Sequence, residues 1–208
     1  MNHLLYAQHT TVDAGCGNSE LIQHLVDDGF EDVVGVDFSR VAIDQLKTRC
    51  SDYPEIEVME LNMQDTNLEK KSFDCIIDKG LLDSIACNMQ STTAIGNYVT
   101  EVERLLVDDG IFIVISMGAP EERLKCLENY DIDLPNFTPW YTDVVAMEKP
   151  LEYDAQENDA EDMSSYYFVY ICRVEPKLVK QKKDRVKQQA IKKKKAAKAR
   201  KKNHKNDL

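Results

Sequence analysis

The 208-residue chain lacks several features that mark particular protein classes. It contains no apolar run near the roughly 20 residues that cross a bilayer, and its first residues lack the basic and apolar regions of a signal peptide. Its six cysteines form no C-x-x-C pair and its four histidines are scattered, so we predict reduced thiols, no metal site and no Ser/His/Asp catalytic set. We therefore expect a cytoplasmic protein without membrane contact.

Basic residues are also scarce, except at the C-terminal end. Residues 1–172 contain 10 lysine and arginine residues against 34 aspartate and glutamate residues, a net charge of −24. Residues 173–208 contain 16 against 3, a net charge of +13. The acidic region should repel nucleic acid, whereas the basic region should attract polyanions. We predict a folded domain over residues 1–173 and a basic, solvated tail over residues 174–208.

The basic tail has more than one interpretation. Its lysine clusters at residues 192–195 and 201–202 are typical of nuclear or nucleolar targeting and of RNA tethering. The tail could instead be a solvated extension, or fold back onto the acidic region near residues 152–162. We favour contact with RNA or another polyanion, which would add a nuclear or nucleolar location to the cytoplasmic one.

Strand-like segments alternate with helical patterns along the first 174 residues, which is typical of parallel strands joined by crossover helices. Helices are predicted after the first, second and fourth strands, and a short helix over residues 121–128. The predicted strands are TTVDA (10–14), VVGVD (33–37), IEVMEL (56–61), FDCIID (73–78), IFIVIS (111–116), TDVVAME (142–148) and SSYYFVYICRV (164–174).

Helix ends are predicted from serines and glycines. Ser19, Ser39 and Ser91 precede helical patterns and are predicted N-caps, because a serine hydroxyl can accept a hydrogen bond from an amide of the first turn. Gly29 and Gly110 follow helical patterns, where glycine commonly ends a helix. The resulting order is strand, helix, strand, helix, strand, strand, helix and strand, followed by the short helix and two final strands.

A glycine turn follows the first predicted strand in the segment VDAGCGNSE, which contains Gly15, Cys16 and Gly17. Glycine lets a backbone turn tightly and approach a ligand without a Cβ in the way. Asp37 ends the next strand, 20 residues after Gly17, where a carboxylate can accept hydrogen bonds from both ribose hydroxyls. Together these features predict a site for an adenosine-containing cofactor.

The type of cofactor depends on the charges around the turn. A dinucleotide fingerprint needs a third glycine where this chain has Glu20, and an acidic residue there would repel a pyrophosphate. S-adenosylmethionine carries a sulfonium cation and no phosphate, so a site with Asp13, Glu20 and Asp37 suits it and we favour it over a nicotinamide cofactor. Asp13 and Glu20 also have structural interpretations, as a turn-holding carboxylate and as an acid in the first helical turn.

A family resemblance rests on five segments in their order and spacing: VDAGCGNSE, GVDFS, SFDCIIDKGLLDSI, ISMGAPEERL and YYFVYICRV. Over about residues 10–173 the chain resembles the seven-strand (class I) S-adenosylmethionine-dependent methyltransferases, in particular the elongation factor 1-alpha lysine methyltransferases and their methyltransferase-like relatives. The resemblance implies a doubly wound α/β fold with a mostly parallel seven-stranded sheet in the order 3-2-1-4-5-7-6, the last strand antiparallel, and helices on both faces. It also implies S-adenosyl-L-methionine as the cofactor.

The resemblance further assigns cofactor contacts to residues at the ends of strands 1 to 4. These are Asp13, Gly15 and Gly17 at the methionine end, Asp37 at the ribose, Asn62 and Met63 at the adenine, and in addition Cys16, Phe38 and Asp78. Two departures from the family pattern stand out. Relatives usually have an aspartate where Asn62 stands, and they carry an aromatic-rich N-terminal segment over the site, whereas here about ten residues precede strand 1; we expect either a truncated chain or an unusually open site.

The resemblance places Asp78 and Lys79 beside the methyl group that is transferred. A lysine acceptor must lose its proton before it attacks, and Asp78 could orient the amine or accept its proton through water. Asp78 could instead be a strand-end carboxylate paired with Lys79, and Asp83 is expected to support the turn after strand 4. Five aromatic residues either form a channel for a substrate lysine or, as we prefer, belong to the core and the sheet surface: Trp140, Tyr141, Tyr166, Tyr167 and Tyr170.

We therefore predict an S-adenosylmethionine-dependent methyltransferase that modifies a lysine side chain of a protein, with an elongation factor as one substrate type. Two alternatives remain open at this point. One is a methyltransferase that acts on a small molecule or on RNA, and the other is a catalytically silent binding module that keeps the cofactor fold.

Overall fold

The structure is a computed structural model, and it describes residues 10–87, 91–128, 140–150 and 165–174. The basic tail, its lysine clusters and the acidic loop before the last strand lie outside these residues, so their interpretations stay predictions. Within the described ranges, no helix is long and apolar enough to cross a membrane. In the same ranges, no group of histidine, cysteine, aspartate or glutamate residues is arranged to hold a metal ion.

Seven strands form one sheet in the order β3-β2-β1-β4-β5-β7-β6. Strands β1 to β5 pair in parallel, and β7 runs antiparallel to both β5 and β6. This architecture confirms the predicted doubly wound α/β fold. The strands are β1 (Thr10–Ala14), β2 (Asp32–Asp37), β3 (Ile56–Glu60), β4 (Phe73–Lys79), β5 (Leu106–Ser116), β6 (Trp140–Glu148) and β7 (Tyr166–Val174).

Helices pack on both faces of the sheet and divide the core into two clusters. Ile76 and Ile77 are neighbours on β4 and belong to different clusters, because successive side chains of a strand point to opposite faces. One cluster contains residues of α1 and α2, and the other contains residues of α3, α4 and α5. The helices are α1 (Leu21–Asp27), α2 (Arg40–Arg49), α3 (Leu81–Ala86), α4 (Ser91–Leu105) and α5 (Pro120–Leu127).

The region between β4 and β5 differs from the prediction. The sequence pattern predicted one helix there, but α3 precedes α4; its six residues are too few to show a helical period. Gly110 does not end a helix, which corrects the prediction, because β5 already begins at Leu106. A Cβ on Gly110 would lie 3.0 Å from Cδ2 of Leu106 and 3.2 Å from the carbonyl oxygen of Asp74, so this glycine permits close packing of β5 against β4.

The predicted helix caps are partly confirmed. The hydroxyl of Ser39 accepts a hydrogen bond from a backbone N–H of the first turn of α2, and Gly29 ends α1 with a φ of +99°. Ser19 is not the N-cap of α1, because Glu20 occupies that position, although the hydroxyl of Ser19 accepts from the second amide that follows it. The side chain of Ser91 lies outside the described part of the chain.

Candidate functional site

The chain leaves β1 through a turn that requires glycine. Gly15 and Gly17 have φ values of +70° and +50°, in the left-handed region that favours glycine. The N–H of Gly15 donates to the carbonyl oxygen of Val36 at 2.7 Å, which ties the turn to β2. A Cβ on Gly15 would lie 2.8 Å from Cβ of Leu81, so this position also lets α3 approach the turn. The turn therefore brings β1, β2 and α3 together.

Cys16 contributes to this turn through its backbone and to the core through its side chain. Its N–H donates to the carbonyl oxygen of Val36 at 3.1 Å. Its side chain is buried in the cluster beneath α1 and α2, and burial raises the pKa of the thiol to about 12. The thiol is therefore a protonated core group at neutral pH, and a ligand contact by this residue would come from its backbone.

Asp37 ends β2 beside the glycine turn. Its Oδ2 accepts a hydrogen bond from the N–H of Gly17 at 3.0 Å, and its Oδ1 accepts from the N–H of Ser39 at 2.8 Å. These two bonds hold the carboxylate between the turn and the first residues of α2. Each carboxylate oxygen has two lone pairs, so both oxygens can also accept from ribose hydroxyls.

A pocket of about 380 Å³ opens next to Asp37. The pocket is bounded by the glycine turn, the end of β2, the β3–β4 loop (residues 61–72), α3 and α4. Phe38 is 74% exposed at its edge and presents an aromatic face that can stack on a base. Five residues assigned to the cofactor from sequence line this one pocket: Gly15, Asp37, Phe38, Asn62 and Met63.

Asn62 shapes the β3–β4 loop at the pocket. Its side-chain Oδ1 accepts from the N–H of Gln64 at 3.0 Å, and its carbonyl oxygen accepts from the N–H of Asp65. The side chain thus holds the loop with its oxygen, and its amide group can donate a hydrogen bond to a ring nitrogen of adenine. An aspartate, which relatives usually have at this position, would offer acceptors only. The chemical consequence of having Asn62 instead is an added hydrogen-bond donor.

Asp13 is a buried carboxylate at the end of β1, 1% exposed. Within the described part of the chain, its Oδ2 has no hydrogen-bond partner. Burial raises the pKa of Asp13 to about 7, the charge of Lys79 opposes this rise, and the charge of Asp37 adds to it. A buried oxygen in this state is stabilised by a cation, such as the ammonium group at the methionine end of S-adenosylmethionine. The residues of this site therefore fit the implied cofactor.

Asp78, assigned to the methyl group from sequence, is completely buried. Its Oδ1 accepts from the N–H of Leu81 at 2.7 Å, and its Oδ2 accepts from the N–H of Leu82 at 2.9 Å and from the hydroxyl of Tyr98 at 2.7 Å. Burial raises the pKa of Asp78 to about 7, and the three hydrogen bonds oppose this rise. The carboxylate thus holds the first turn of α3, and its role in proton transfer stays a prediction. Lys79, the next residue, is exposed.

Asp83 connects α3 to the loop that follows β5. Its carboxylate accepts hydrogen bonds from the hydroxyl of Ser116, from the N–H of Met117 at 2.9 Å and from the guanidinium of Arg123, which is 3.0 Å away at its closest. The side chains of Asp83 and Arg123 are only 14% and 12% exposed. Sequence reasoning missed Arg123, because an ion pair between residues 40 positions apart has no local signature.

The five aromatic residues considered as a substrate channel do not form one group. Trp140 and Tyr170 are buried, at 2% and 0% exposure, and the hydroxyl of Tyr170 donates to the carbonyl oxygen of Gly118 at 2.6 Å. Tyr141 is 61% exposed on β6, and the ring of Tyr167 lies 5.1 Å from the ammonium of a lysine. These positions agree with the core and sheet-surface interpretation.

Known methyltransferases resemble this chain in sequence. A family model described as a methyltransferase domain matches residues 6–200. The bovine eEF1A lysine and N-terminal methyltransferase is 35% identical over 119 residues, which are 56% of this chain and 17% of that protein. The mouse EEF1A lysine methyltransferase 4 is 28% identical over 134 residues, 60% of this chain and 52% of that protein. The chain therefore spans about half or less of the length of these curated relatives.

Solved structures share the fold at low sequence identity. One is a 1,6-didemethyltoxoflavin-N1-methyltransferase from Burkholderia thailandensis with bound S-adenosylhomocysteine, with a TM-score of 0.56, 16% identity, and coverage of 80% of this chain and 71% of that chain. Another is a SAM-dependent methyltransferase from Methanosarcina mazei, with a TM-score of 0.58, 16% identity, and coverage of 84% and 98%. These similarities concern the arrangement of the sheet and its helices.

Proposed function

The chain belongs to the methyltransferase-domain family and depends on S-adenosylmethionine, and from this premise we propose that it methylates a lysine side chain of a protein. The observation that carries this proposal is the similarity to the two relatives whose names give lysine of eEF1A as the target. An elongation factor of the 1A type is therefore the substrate class that we propose.

The charge of the acidic region supports a lysine-containing substrate. Residues 1–172 carry a net charge of −24, which attracts a basic segment of a protein and repels the backbone of RNA. Charge complementarity of this kind raises association rates and disfavours wrong partners more than it adds to affinity. The acidic region thus favours a protein acceptor over a nucleic acid at this site.

The residues of the pocket would hold the cofactor in a fixed orientation. Asp37 would accept hydrogen bonds from the ribose, Phe38 would stack on the adenine, and Asp13 would accept from the ammonium group. S-adenosylmethionine supplies an electrophilic methyl group, so the protein contributes mainly alignment of the acceptor and exclusion of water. Asp78 accepts hydrogen bonds from two backbone amides of α3, which supports a role in the shape of the pocket beside the predicted role in proton transfer.

The acceptor amine must be neutral when it attacks, although a free lysine has a pKa of about 10.4. Lys79 is exposed at the end of β4, and its positive charge would lower the pKa of a lysine that approaches this end. The turnover of a lysine substrate should therefore increase with pH through the neutral range.

The proposal is tested with the purified chain, recombinant eukaryotic elongation factor 1A and isotopically labelled S-adenosylmethionine. Mass spectrometry should locate the label on a lysine of the factor. Asp37→Ala should lower labelling at limiting cofactor concentration, because the loss of charge-assisted hydrogen bonds weakens cofactor binding by about 1.5–3 kcal/mol. Label that enters only RNA or small molecules of a cell lysate would contradict a protein substrate.

Asp78→Asn separates the two roles of Asp78. A direct role in proton transfer predicts a loss of roughly 100-fold or more in turnover, with cofactor affinity within a few-fold of the original. The role in holding α3 predicts instead that affinity for S-adenosylhomocysteine falls together with turnover.

We also propose that the basic tail tethers the enzyme to RNA, with a cytoplasmic and nuclear or nucleolar distribution. The net charge of +13 over residues 173–208 supports this proposal. RNA binding by the full chain should fall steeply with ionic strength, and a chain ending at Val174 should lose it while keeping cofactor affinity. Equal RNA binding by both chains would rule out tethering by the tail.

A further inference from the structure

Helix α4 lines the cofactor pocket with Ala94, and its side chains also form hydrogen bonds that reach two walls of the pocket. One wall is α3, which lines the pocket with Leu81, Ser84 and Ile85. The other is the β3–β4 loop, which lines it from residue 61 to residue 64. Each wall is connected to α4 by a buried polar contact. The sequence motifs assign no role in cofactor binding to the α4 residues of these contacts.

The first contact joins α4 to α3 through Asp78. Tyr98 is completely buried on α4, and its hydroxyl donates to Oδ2 of Asp78 at 2.7 Å. The same carboxylate accepts from the N–H groups of Leu81 and Leu82, the first two residues of α3. Tyr98 therefore orients the carboxylate that sets the position of α3 beside the pocket.

The second contact lies one turn further along α4. Oε1 of Glu101 accepts hydrogen bonds from the N–H of Thr66, at 2.9 Å, and from its hydroxyl. The guanidinium of Arg104 donates to the carboxylate of Glu101 and to the carbonyl oxygen of Leu68. Hydrogen bonds from Arg104 and Thr66 hold the pKa of Glu101 near 2, so this anchor is ionised at neutral pH. Thr66 lies two residues beyond Gln64 of the pocket.

We propose that Tyr98 and Glu101 are positioning residues for the cofactor. They are three residues apart and so share one face of α4, which holds α3 and the β3–β4 loop at a fixed separation around the pocket. Loss of the Tyr98 hydroxyl removes one of the three donors to the buried carboxylate of Asp78, and loss of the Glu101 carboxylate leaves the buried N–H of Thr66 without its acceptor. The wall that each contact holds then shifts to regain a partner. A shifted wall widens the pocket, so the adenosine part of the cofactor loses contacts on that side.

Calorimetric titration with S-adenosylhomocysteine tests this role at a temperature well below the unfolding midpoint of every variant. Tyr98→Phe keeps the ring, which packs edge-on against Phe112 at 6.1 Å between centroids, and removes the hydroxyl. Tyr98→Phe and Glu101→Leu, which removes both acceptor oxygens, should each raise Kd about three- to tenfold, and the double variant should show about the product of the two effects because the walls are separate. 5′-Methylthioadenosine, which lacks the amino acid part, should lose affinity to the same extent.

Val102→Ala is the matched control on the same helix. Val102 is completely buried, so its truncation should lower the unfolding midpoint, but it leaves both polar contacts in place and should change Kd less than about twofold. If Tyr98→Phe or Glu101→Leu does not fold, Asp78→Asn and Thr66→Val weaken the same two contacts from the other side.

The proposal is overturned if these variants lower the unfolding midpoint but bind both ligands with unchanged Kd, since the contacts would then be structural only. Neither readout involves a methyl acceptor. A failure to methylate elongation factor 1A would therefore refute the proposed substrate without affecting this result.

Discussion

Raising the pH from about 6 to about 8 should strengthen the binding of S-adenosylhomocysteine, because Asp13 must be ionised to attract the ammonium group of the ligand. Burial raises the pKa of Asp13 to about 7. At this pKa about a tenth of the carboxyl groups is ionised at pH 6 and about nine tenths at pH 8. The expected gain in affinity is therefore about tenfold, or about 1.4 kcal/mol.

Titration calorimetry at constant ionic strength measures this gain. Buffers with different ionisation enthalpies should reveal the release of about one proton per ligand at the lower pH. Asp13→Asn should bind more weakly than the original chain and with little pH dependence. An affinity that does not change with pH in the original chain would refute the role of Asp13, and an unchanged slope in Asp13→Asn would assign the titration to Asp78, whose pKa is also about 7.

The same carboxylate should make the ligand-free protein less stable as the pH rises. The folded pKa of about 7 lies above the usual value of 3.8, so the folded state retains a proton that the unfolded chain releases. The stabilisation is complete below the lower value and is lost as the pH rises through the higher one. The unfolding midpoint should therefore decrease between about pH 4 and about pH 7, and less so in Asp13→Asn.

Three further substitutions test the scaffold of the site. Gly15→Ala should lower the free energy of unfolding by about 1–3 kcal/mol and weaken S-adenosylhomocysteine binding, because its Cβ would meet Leu81 at 2.8 Å and its φ is +70°. Gly29→Ala is the control, because Gly29 has a φ of +99° but no atom lies within 4 Å of the added Cβ. It should lower the free energy of unfolding by only about 1–2 kcal/mol and leave binding unchanged. Equal binding by both variants would contradict the role of the turn. Arg123→Met should destabilise the fold by about 1–3 kcal/mol in chemical denaturation, because it leaves the largely enclosed carboxylate of Asp83 without its ion-pair partner, and a loss below about 0.5 kcal/mol would contradict a stabilising ion pair.

Much of the architecture follows from patterns that are local in the sequence. Seven strands were predicted, six of them within two residues of their observed bounds, because apolar and β-branched runs between turn residues are needed wherever a strand is covered on both faces. The fifth, predicted over residues 111–116, begins five residues earlier at Leu106. The glycine turn at Gly15 and the strand-end Asp37 were also predicted, and they line the same pocket. Helix α3 was missed because six residues are too few to establish a helical period. The predicted role of Gly110 as a helix end was wrong, because close strand packing and helix termination both favour glycine.

The roles of individual polar side chains were decided only by the tertiary structure. The motif around Asp78 indicated a catalytic carboxylate, but the fold encloses this side chain between α3 and α4, where it accepts from Tyr98, 20 residues away in sequence. Glu101 holds Thr66 across 35 residues, and Arg123 holds Asp83 across 40.

By itself, the sequence determined the order of the strands along the chain, the glycine turn and the acidic residue that follows it, because each depends on the conformational preferences of neighbouring residues. The tertiary structure alone decided which carboxylates border the pocket, as Asp37 does, and which are enclosed by neighbouring segments, as Asp78 is. The physical reason is that burial and hydrogen bonding are set by segments that meet only after folding, and these two factors determine the charge and the partners of every polar group in the site.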